Sequence, residues 1–372
     1  MRVLIAAGGT GGHIYPGIAV AKEITRRDQK SAVRFVGTAR GLETRLVPQA
    51  GFELSLIEST GLKNVGVVQR VRGLALLPKS FLAAQRLIKE FQPKVVVGAG
   101  GYVSGPVVLT AKLMKLPTMV MESNALPGWT NRRLARFVDR AAVSFEAALP
   151  SFHDKGVVTG NPVRYEFFEI PARQRDSSRF SVLVFGGSQG AHAINEAMAA
   201  ALPELEEFRG VLHVTHQTGQ ADYEHVRESY LKTGWSDSAD VRRYINDMVT
   251  CFAQADLVIC RAGATTTAEL VAAGKAAIMI PFPLAADDHQ RKNAKALETA
   301  GAARIILQTD LTGEVLAAEI ATLIHEPKKL TAMEKASRSL ARGDAAAATV
   351  DLIEELVEKA ESSRQKAVGR KQ

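Results

Sequence analysis

One glycine phrase is written twice, about half a chain apart, and each copy follows a short apolar run. Gly8-Gly9-Thr10-Gly11-Gly12-His13 follows Val3–Ala7, and Gly186-Gly187-Ser188-Gln189-Gly190-Ala191-His192 follows Val182–Phe185. Apolar runs of this kind read as parallel strands buried on both faces. Glycine clusters after them read as tight turns into helices whose first N–H groups face an anion. The chain therefore predicts two similar α/β domains with a phosphate-bearing ligand between them, and 372 residues suffice for two cores.

The rest of the chain keeps the same rhythm. Strand-like runs at Val33–Val36, Leu54–Ile57, Val95–Val97, Thr118–Met121 and Ala141–Val143 alternate with helical patterns such as Gly17–Arg26 and Ser80–Phe91. Such alternation predicts a parallel sheet covered on both faces. Gly160-Asn161-Pro162-Val163 is turn chemistry that ends the first domain, and the charged stretch Glu169–Arg179 reads as a linker. The second half restarts with Val182–Phe185, then Val211–Thr215, Val241–Tyr244, Leu257–Cys260, Ala276–Ile280 and Arg304–Ile306, with helical patterns at Thr266–Ala273 and His289–Ala300. The expected domains are residues 1–160 and 161–343, followed by an amphipathic helix over 344–361 and a disordered polar tail over 362–372.

Cys251 and Cys260 lie in apolar stretches, which predicts buried thiols of a reducing compartment rather than a disulfide framework or a zinc site. No apolar stretch approaches the ~18 residues of a spanning helix, and the first strand begins almost at once. A cytoplasmic protein is expected. A net charge of +8 calls for an acidic partner. Between Leu62 and Lys89 stand Lys63, Arg70, Arg72, Lys79, Arg86 and Lys89 with no acid, interleaved with Val65, Val67, Val68, Leu74, Leu76, Leu77, Phe81 and Leu82. Basic and apolar side chains mixed in this way suit an anionic membrane surface. A core helix with a solvated basic face is the alternative. Phe81 alone is a poor stacking platform, so nucleic acid is not expected.

The glycine turns do not carry a nicotinamide fingerprint. Counted from Gly9, the third glycine position is Ile14, and the next strand runs into Gly37-Thr38-Ala39-Arg40 with no acid for a ribose. A Walker A Gly-Lys-Ser/Thr is absent as well. A third turn, Gly98-Ala99-Gly100-Gly101-Tyr102-Val103-Ser104-Gly105, follows another strand and favours anion binding over purely structural turns. His13, beside the first turn, can accept a hydroxyl proton near neutral pH or serve as a satisfied structural histidine. For His192 the structural reading is preferred. Arg261-Ala262-Gly263-Ala264-Thr265-Thr266-Thr267-Ala268-Glu269 looks like a helix start with exposed N–H groups at Ala264 and Thr265. Glu269 there either complements the helix dipole or accepts two ribose hydroxyls. Asp287-Asp288-His289-Gln290 lacks a second ligand cluster, so no metal is expected; helix capping by Asp competes with sugar binding by Gln290.

Taken in order, the Gly8–His13 turn with Pro16-Gly17, Gly100-Gly101-Tyr102-Val103-Ser104-Gly105-Pro106, Gly160-Asn161-Pro162-Val163-Arg164, Gly186–Ala191 and Arg261-x-Gly263-Ala264-x-Thr266-x-x-Glu269 closely resemble the MurG family of peptidoglycan N-acetylglucosaminyltransferases. The match spans nearly the whole chain. The resemblance implies an α/β GT-B fold, two Rossmann-like domains facing across a cleft, with a C-terminal helix returning to the first. It implies UDP-N-acetylglucosamine as donor and lipid I as acceptor, no cofactor and no metal, and a place on the cytoplasmic face of the cell membrane. It assigns Ser188 and Arg164 to the donor diphosphate, the Ile245 backbone to uracil and Glu269 to ribose. Gln290, Asn124, Thr10, Gly11 and Gly12 fall to the sugar, with Ala264 and Thr265 also on the donor. Gly9, Gly100, Gly101, Tyr102 and Ser104 fall to the acceptor diphosphate, and the Leu62–Lys89 segment to the membrane. Met121-Glu122-Ser123-Asn124 departs from the family's usual His-Glu-Gln-Asn, and His289 stands where a Gln-Gln pair is common.

The expected reaction is a metal-independent, inverting transfer to the 4-hydroxyl of the lipid-linked N-acetylmuramoyl peptide, with His13 as base and Glu122 as helper. A UDP-N-acetylglucosamine 2-epimerase on the same fold, or a nucleotide-binding module without chemistry, are the alternatives.

Overall fold

Strand β1 (Arg2–Ala7) is buried from Val3 to Ala7 because it lies at the centre of a parallel sheet. The computed structural model describes residues 1–9, 11–59, 67–175, 178–285 and 288–369. Two units make up the chain, Met1–Val163 with Arg342–Gln372, and Arg164–Ala341. These limits fall at 163 and 341, where the sequence suggested 160 and 343.

Among the described residues, the first unit holds seven strands: β1, β2 (Ala32–Gly37), β3 (Glu53–Leu56), β4 (Val95–Gly100), β5 (Thr118–Glu122), β6 (Arg140–Val143) and β7 (Gly156–Val158). All pair in parallel in the order β3-β2-β1-β4-β5-β6-β7. Helices α1 (Gly11–Arg27), α2 (Glu43–Gln49), α3 (Val67–Phe91), α4 (Ser104–Leu113) and α5 (Trp129–Leu134) connect them. The period of two along β1 sends Val3, Ile5 and Ala7 to one face and Leu4 and Ala6 to the other, each into its own core. Helix α3 turns Ser80, Ala84 and Ile88 inward at helical spacing and leaves Lys79, Leu82, Arg86 and Lys89 exposed. The rest of the basic segment is less fully described: residues 62–66 lie outside the described residues. No described helix is long and apolar enough to cross a membrane.

In the second unit the described strands are β8 (Phe180–Phe185), β9 (Leu212–Gln217), β10 (Ala239–Arg242), β11 (Leu257–Cys260), β12 (Ala276–Met279) and β13 (Ala303–Ile305), parallel in the order β10-β9-β8-β11-β12-β13. Its helices are α6 (His192–Ala201), α7 (Tyr223–Lys232), α8 (Met248–Gln254), α9 (Ala264–Ala273), α10 (His289–Thr299), α11 (Gly313–His325) and α12 (Pro327–Ser339). The residues read as a linker are part of this unit. Arg173 and Arg175 reach Asp256 at 3.2 and 3.6 Å, and Asp256 also accepts the Ser181 N–H at 2.9 Å. A charged run thus became a fastening because a buried carboxylate waited for it.

Helix α13 (Ala345–Gly369) carries Val350, Leu352, Ile353 and Leu356 into the core beside α1 of the first unit. Burial is worth about 1.5–3 kcal/mol per such side chain. The Arg27 pairs with Asp351 and Glu354 are partly exposed and contribute about 0–1 kcal/mol each, so apolar packing holds the helix. The helix runs to Gly369, past the 361 expected for it, since Arg, Gln, Lys and Ala are good helix formers; residues 370–372 of the expected tail lie outside the described residues.

In each sheet the strand order reverses beside the central strand, between β1 and β4 and between β8 and β11. Ligands of open α/β sheets bind at the carboxyl ends of strands at this point. Gly8 and Gly101 follow the first pair, Gly186 and Arg261 the second.

Candidate functional site

At the first switch point two glycine turns lock together through bare backbone. Gly100 and Gly101 have φ of 115° and 81°, and a Cβ on Gly101 would strike the Gly8 carbonyl. A Cβ on Gly100 would strike Nδ1 of His13, so the imidazole packs on the Gly100 Cα. His13 is the third residue of α1, whose first turn holds Gly11 and Gly12 with backbone N–H groups that lack intrahelical partners. Thr10 lies outside the described residues. The arrangement places the backbone N–H groups of a helix start and a potential base within one turn of helix.

Two of the contacts expected for an acceptor diphosphate are already engaged. The Gly9 N–H is donated to Glu43 Oε2 at 3.0 Å, and the wholly buried Ser104 hydroxyl bonds with Ala6 O at 2.9 Å, Gly100 O at 2.8 Å and the Gly100 N–H at 3.1 Å. Ser104 is a staple between the ends of β1 and β4. Tyr102 remains exposed, with its carbonyl accepting from Ser59 Oγ.

Glu43 itself was not visible in the sequence. It is wholly buried; Oε1 accepts the N–H and hydroxyl of Thr38, both at 2.8 Å. A Cβ at Gly37 or Gly41 would collide with its side chain, so the glycines flanking Thr38 are the trace it leaves in the sequence.

Glu122, at the end of β5, is buried, and burial pushes its carboxyl pKa up against hydrogen bonds that lower it. Oε1 accepts the N–H and Nδ2 of Asn124 at 2.9 and 3.1 Å, and Oε2 accepts the Gly128 N–H and Asn131 Nδ2, both at 2.9 Å. Four donors saturate the lone pairs of one carboxylate. Glu122, expected as a helper to the base, organises the 123–131 loop, and the Asn124 amide is turned onto it.

The second switch point gathers most of the residues expected on the donor. Ser188 is exposed at the tip of the turn before α6. Gly263 caps α9, and Ala264 and Thr265 open it; the Thr265 hydroxyl is buried without a hydrogen-bond partner, as a group awaiting a ligand would be. Further along α9, Glu269 lies 3.4 Å from Arg164, whose guanidinium stacks on Phe167 at 4.8 Å. Arg164 is therefore anchored at the expected ribose carboxylate. Burial pushes the Glu269 carboxyl up to about 7, although Arg164 opposes the shift. Gln290 Oε1 accepts the Phe282 N–H at 3.0 Å, which directs the amide nitrogen elsewhere.

The Ile245 N–H is donated to Gln217 Oε1 at 2.7 Å. His192 is exposed, with Nδ1 3.2 Å from Asp222 Oδ2. Cys251 and Cys260 are free and buried.

Comparison with known proteins agrees along the length of the chain. The N-terminal domain of glycosyltransferase family 28 matches residues 3–143, and the C-terminal domain of that family matches residues 181–356. The UDP-N-acetylglucosamine–N-acetylmuramyl-(pentapeptide) pyrophosphoryl-undecaprenol N-acetylglucosamine transferase of Geobacter sulfurreducens is 46% identical over 356 residues, covering 94% of this chain and 97% of that protein. The protein of the same name from Anaeromyxobacter sp. strain Fw109-5 is 49% identical over 359 residues, covering 96% and 94%. Among solved structures, the crystal structure of Acinetobacter baumannii MurG superposes with a TM-score of 0.76 at 34% identity, covering 95% of this chain and 99% of that one.

Proposed function

The chain belongs to glycosyltransferase family 28 and is an N-acetylglucosaminyltransferase of the GT-B class, and from that premise we propose that it moves N-acetylglucosamine from UDP-N-acetylglucosamine onto undecaprenyl-diphosphate-linked N-acetylmuramoyl pentapeptide, completing lipid II for peptidoglycan. The observation that carries this reading is identity near one half along both units to transferases of that name.

The 4-hydroxyl of the acceptor sugar attacks the anomeric carbon of the donor. A β-1,4 bond forms, the bond to the UDP oxygen breaks, and the hydroxyl proton passes to the His13 imidazole. Ser188, the first turn of α9 and its Thr265 hydroxyl hold the donor diphosphate as its charge grows. Glu269 accepts the ribose hydroxyls with Arg164 beside it, the Ile245 carbonyl meets uracil, and the Gln290 amide nitrogen donates to the sugar. The α1 N-terminus and Tyr102 serve the acceptor's phosphates. The mixed basic and apolar Leu62–Lys89 segment brings the enzyme to an anionic membrane at its cytoplasmic face.

Labelled sugar is expected to pass from UDP-N-acetylglucosamine to lipid I undiminished by a chelator, and the enzyme to float with anionic but not zwitterionic liposomes. Consumption of the donor without acceptor would reveal an epimerase, and UDP binding with no turnover a module without chemistry.

Glu269 adds a pH dependence. With a carboxyl titrating near 7, the ionised form that accepts ribose hydroxyls is lost as pH falls. Uridine, which has no phosphate to titrate, is expected to bind about tenfold more weakly at pH 6 than at pH 8. Calorimetry on Glu269→Gln should give a flat profile; an equally steep one would remove Glu269 from the ribose.

A further inference from the structure

Gln217 is the last residue of β9, is 2% exposed, and bonds at both ends of its amide to segments assigned above to the nucleotide. Nε2 donates to the Gly187 carbonyl at 2.8 Å, in the turn that carries Ser188. Oε1 accepts the Ile245 N–H at 2.7 Å. One partner is a carbonyl and the other an N–H, so the amide fits in a single orientation. The surrounding backbone is interlocked. A Cβ on Gly190 would strike Thr218 O, a Cβ on Gly219 would strike Gln189 O, and Thr218 N donates to Arg242 O at 3.0 Å.

We propose that Gln217 is a positioning residue that sets uracil specificity: it locks the Ile245 peptide, which reads the base, in register with the Gly186–Gly190 turn, which grips the diphosphate. The inference rests on the assignment of those two segments to the donor under the proposed function. Gln217 touches neither the base nor the phosphates. Its effect is pre-organisation: a nucleotide engaging both ends gains only if the two subsites are held at a fixed separation. Uracil presents an N–H where cytosine presents a bare ring nitrogen, so a fixed backbone carbonyl at Ile245 separates them. A site built to hydrogen-bond a group rejects the analogue lacking it, provided its own groups cannot move away. Release of the Ile245 N–H frees that peptide to rotate and blurs the distinction.

The test is the affinity of UDP and CDP for Gln217→Met and Gln217→Glu. Methionine keeps the length and offers neither bond; glutamate keeps an acceptor for Ile245 and sets an oxygen against Gly187 O. UDP is expected to weaken about 10–50-fold in the methionine variant and less in the glutamate variant. The preference for UDP over CDP should fall toward unity in Gln217→Met. In transfer assays the donor KM should rise while the acceptor KM holds, as for a loss confined to the nucleotide subsite. The preference is a ratio read on one preparation, so partial unfolding cancels from it. A variant that keeps the wild-type preference, whatever its Tm, reduces Gln217 to a structural role and overturns the proposal. A wild-type protein that binds CDP as well as UDP overturns the base-site assignment beneath it.

Discussion

Replacing His13 with alanine is expected to lower turnover by about 10²–10⁴-fold, the usual contribution of a general base. Donor affinity should be largely unchanged, because the residues assigned to the nucleotide lie in the Arg164–Ala341 unit and His13 in the other. Single-turnover transfer to a lipid I analogue and calorimetry with UDP separate the two effects. Gly100→Ala offers an independent approach: its Cβ would strike Nδ1 of His13, and φ of 115° is already unfavourable for alanine. It should lose turnover by displacing the ring. Near wild-type turnover in His13→Ala would assign the proton to another group.

The parallel sheets were legible because their central strands are buried on both faces and so appear as apolar runs, as in Val95–Val97 and Leu257–Cys260. Where burial is partial, the pattern misleads. The run expected at Val241–Tyr244 is the strand Ala239–Arg242, and Tyr244 is exposed beyond its end. The short half-exposed β7 left no apolar signal. At the site, helix starts and glycine turns could be read locally, and they led to His13, Ser188, Ala264, Thr265 and Glu269. What could not be read were side chains whose partners lie far along the chain. Gln217 stands 30 residues from Gly187 and 28 from Ile245, and Glu43 stands 34 from Gly9. The expected contacts that proved to be engaged, Gly9 and Ser104 among them, belong to turns whose donors the fold had already used.

Glu43→Gln is expected to lower turnover by about 10²-fold with donor affinity intact, the cost of shifting a catalytic turn by about an ångström. A dinucleotide-binding unit would place an acid after β2 to hold a ribose. Here no acid follows β2 directly, and the carboxylate that arrives six residues later is turned inward to hold the glycine turn. In the glutamine variant one amide oxygen can keep both donors of Thr38. The other end becomes an NH₂ facing the Gly9 N–H, and two opposed donors must separate. Space is lacking, since the side chain already fills the room that a Cβ on Gly37 or Gly41 would take. The turn is therefore the part that moves, and the start of α1 with it. Glu43→Ala removes the acceptor from all three donors, and each buried donor left unsatisfied costs about 1–3 kcal/mol, so that variant should also lose Tm. The glutamine variant separates the roles: a kcat deficit with unchanged UDP affinity and a Tm near wild type assigns Glu43 to positioning the catalytic turn. Wild-type kcat in Glu43→Gln would mean that the bond to Gly9 holds the fold alone.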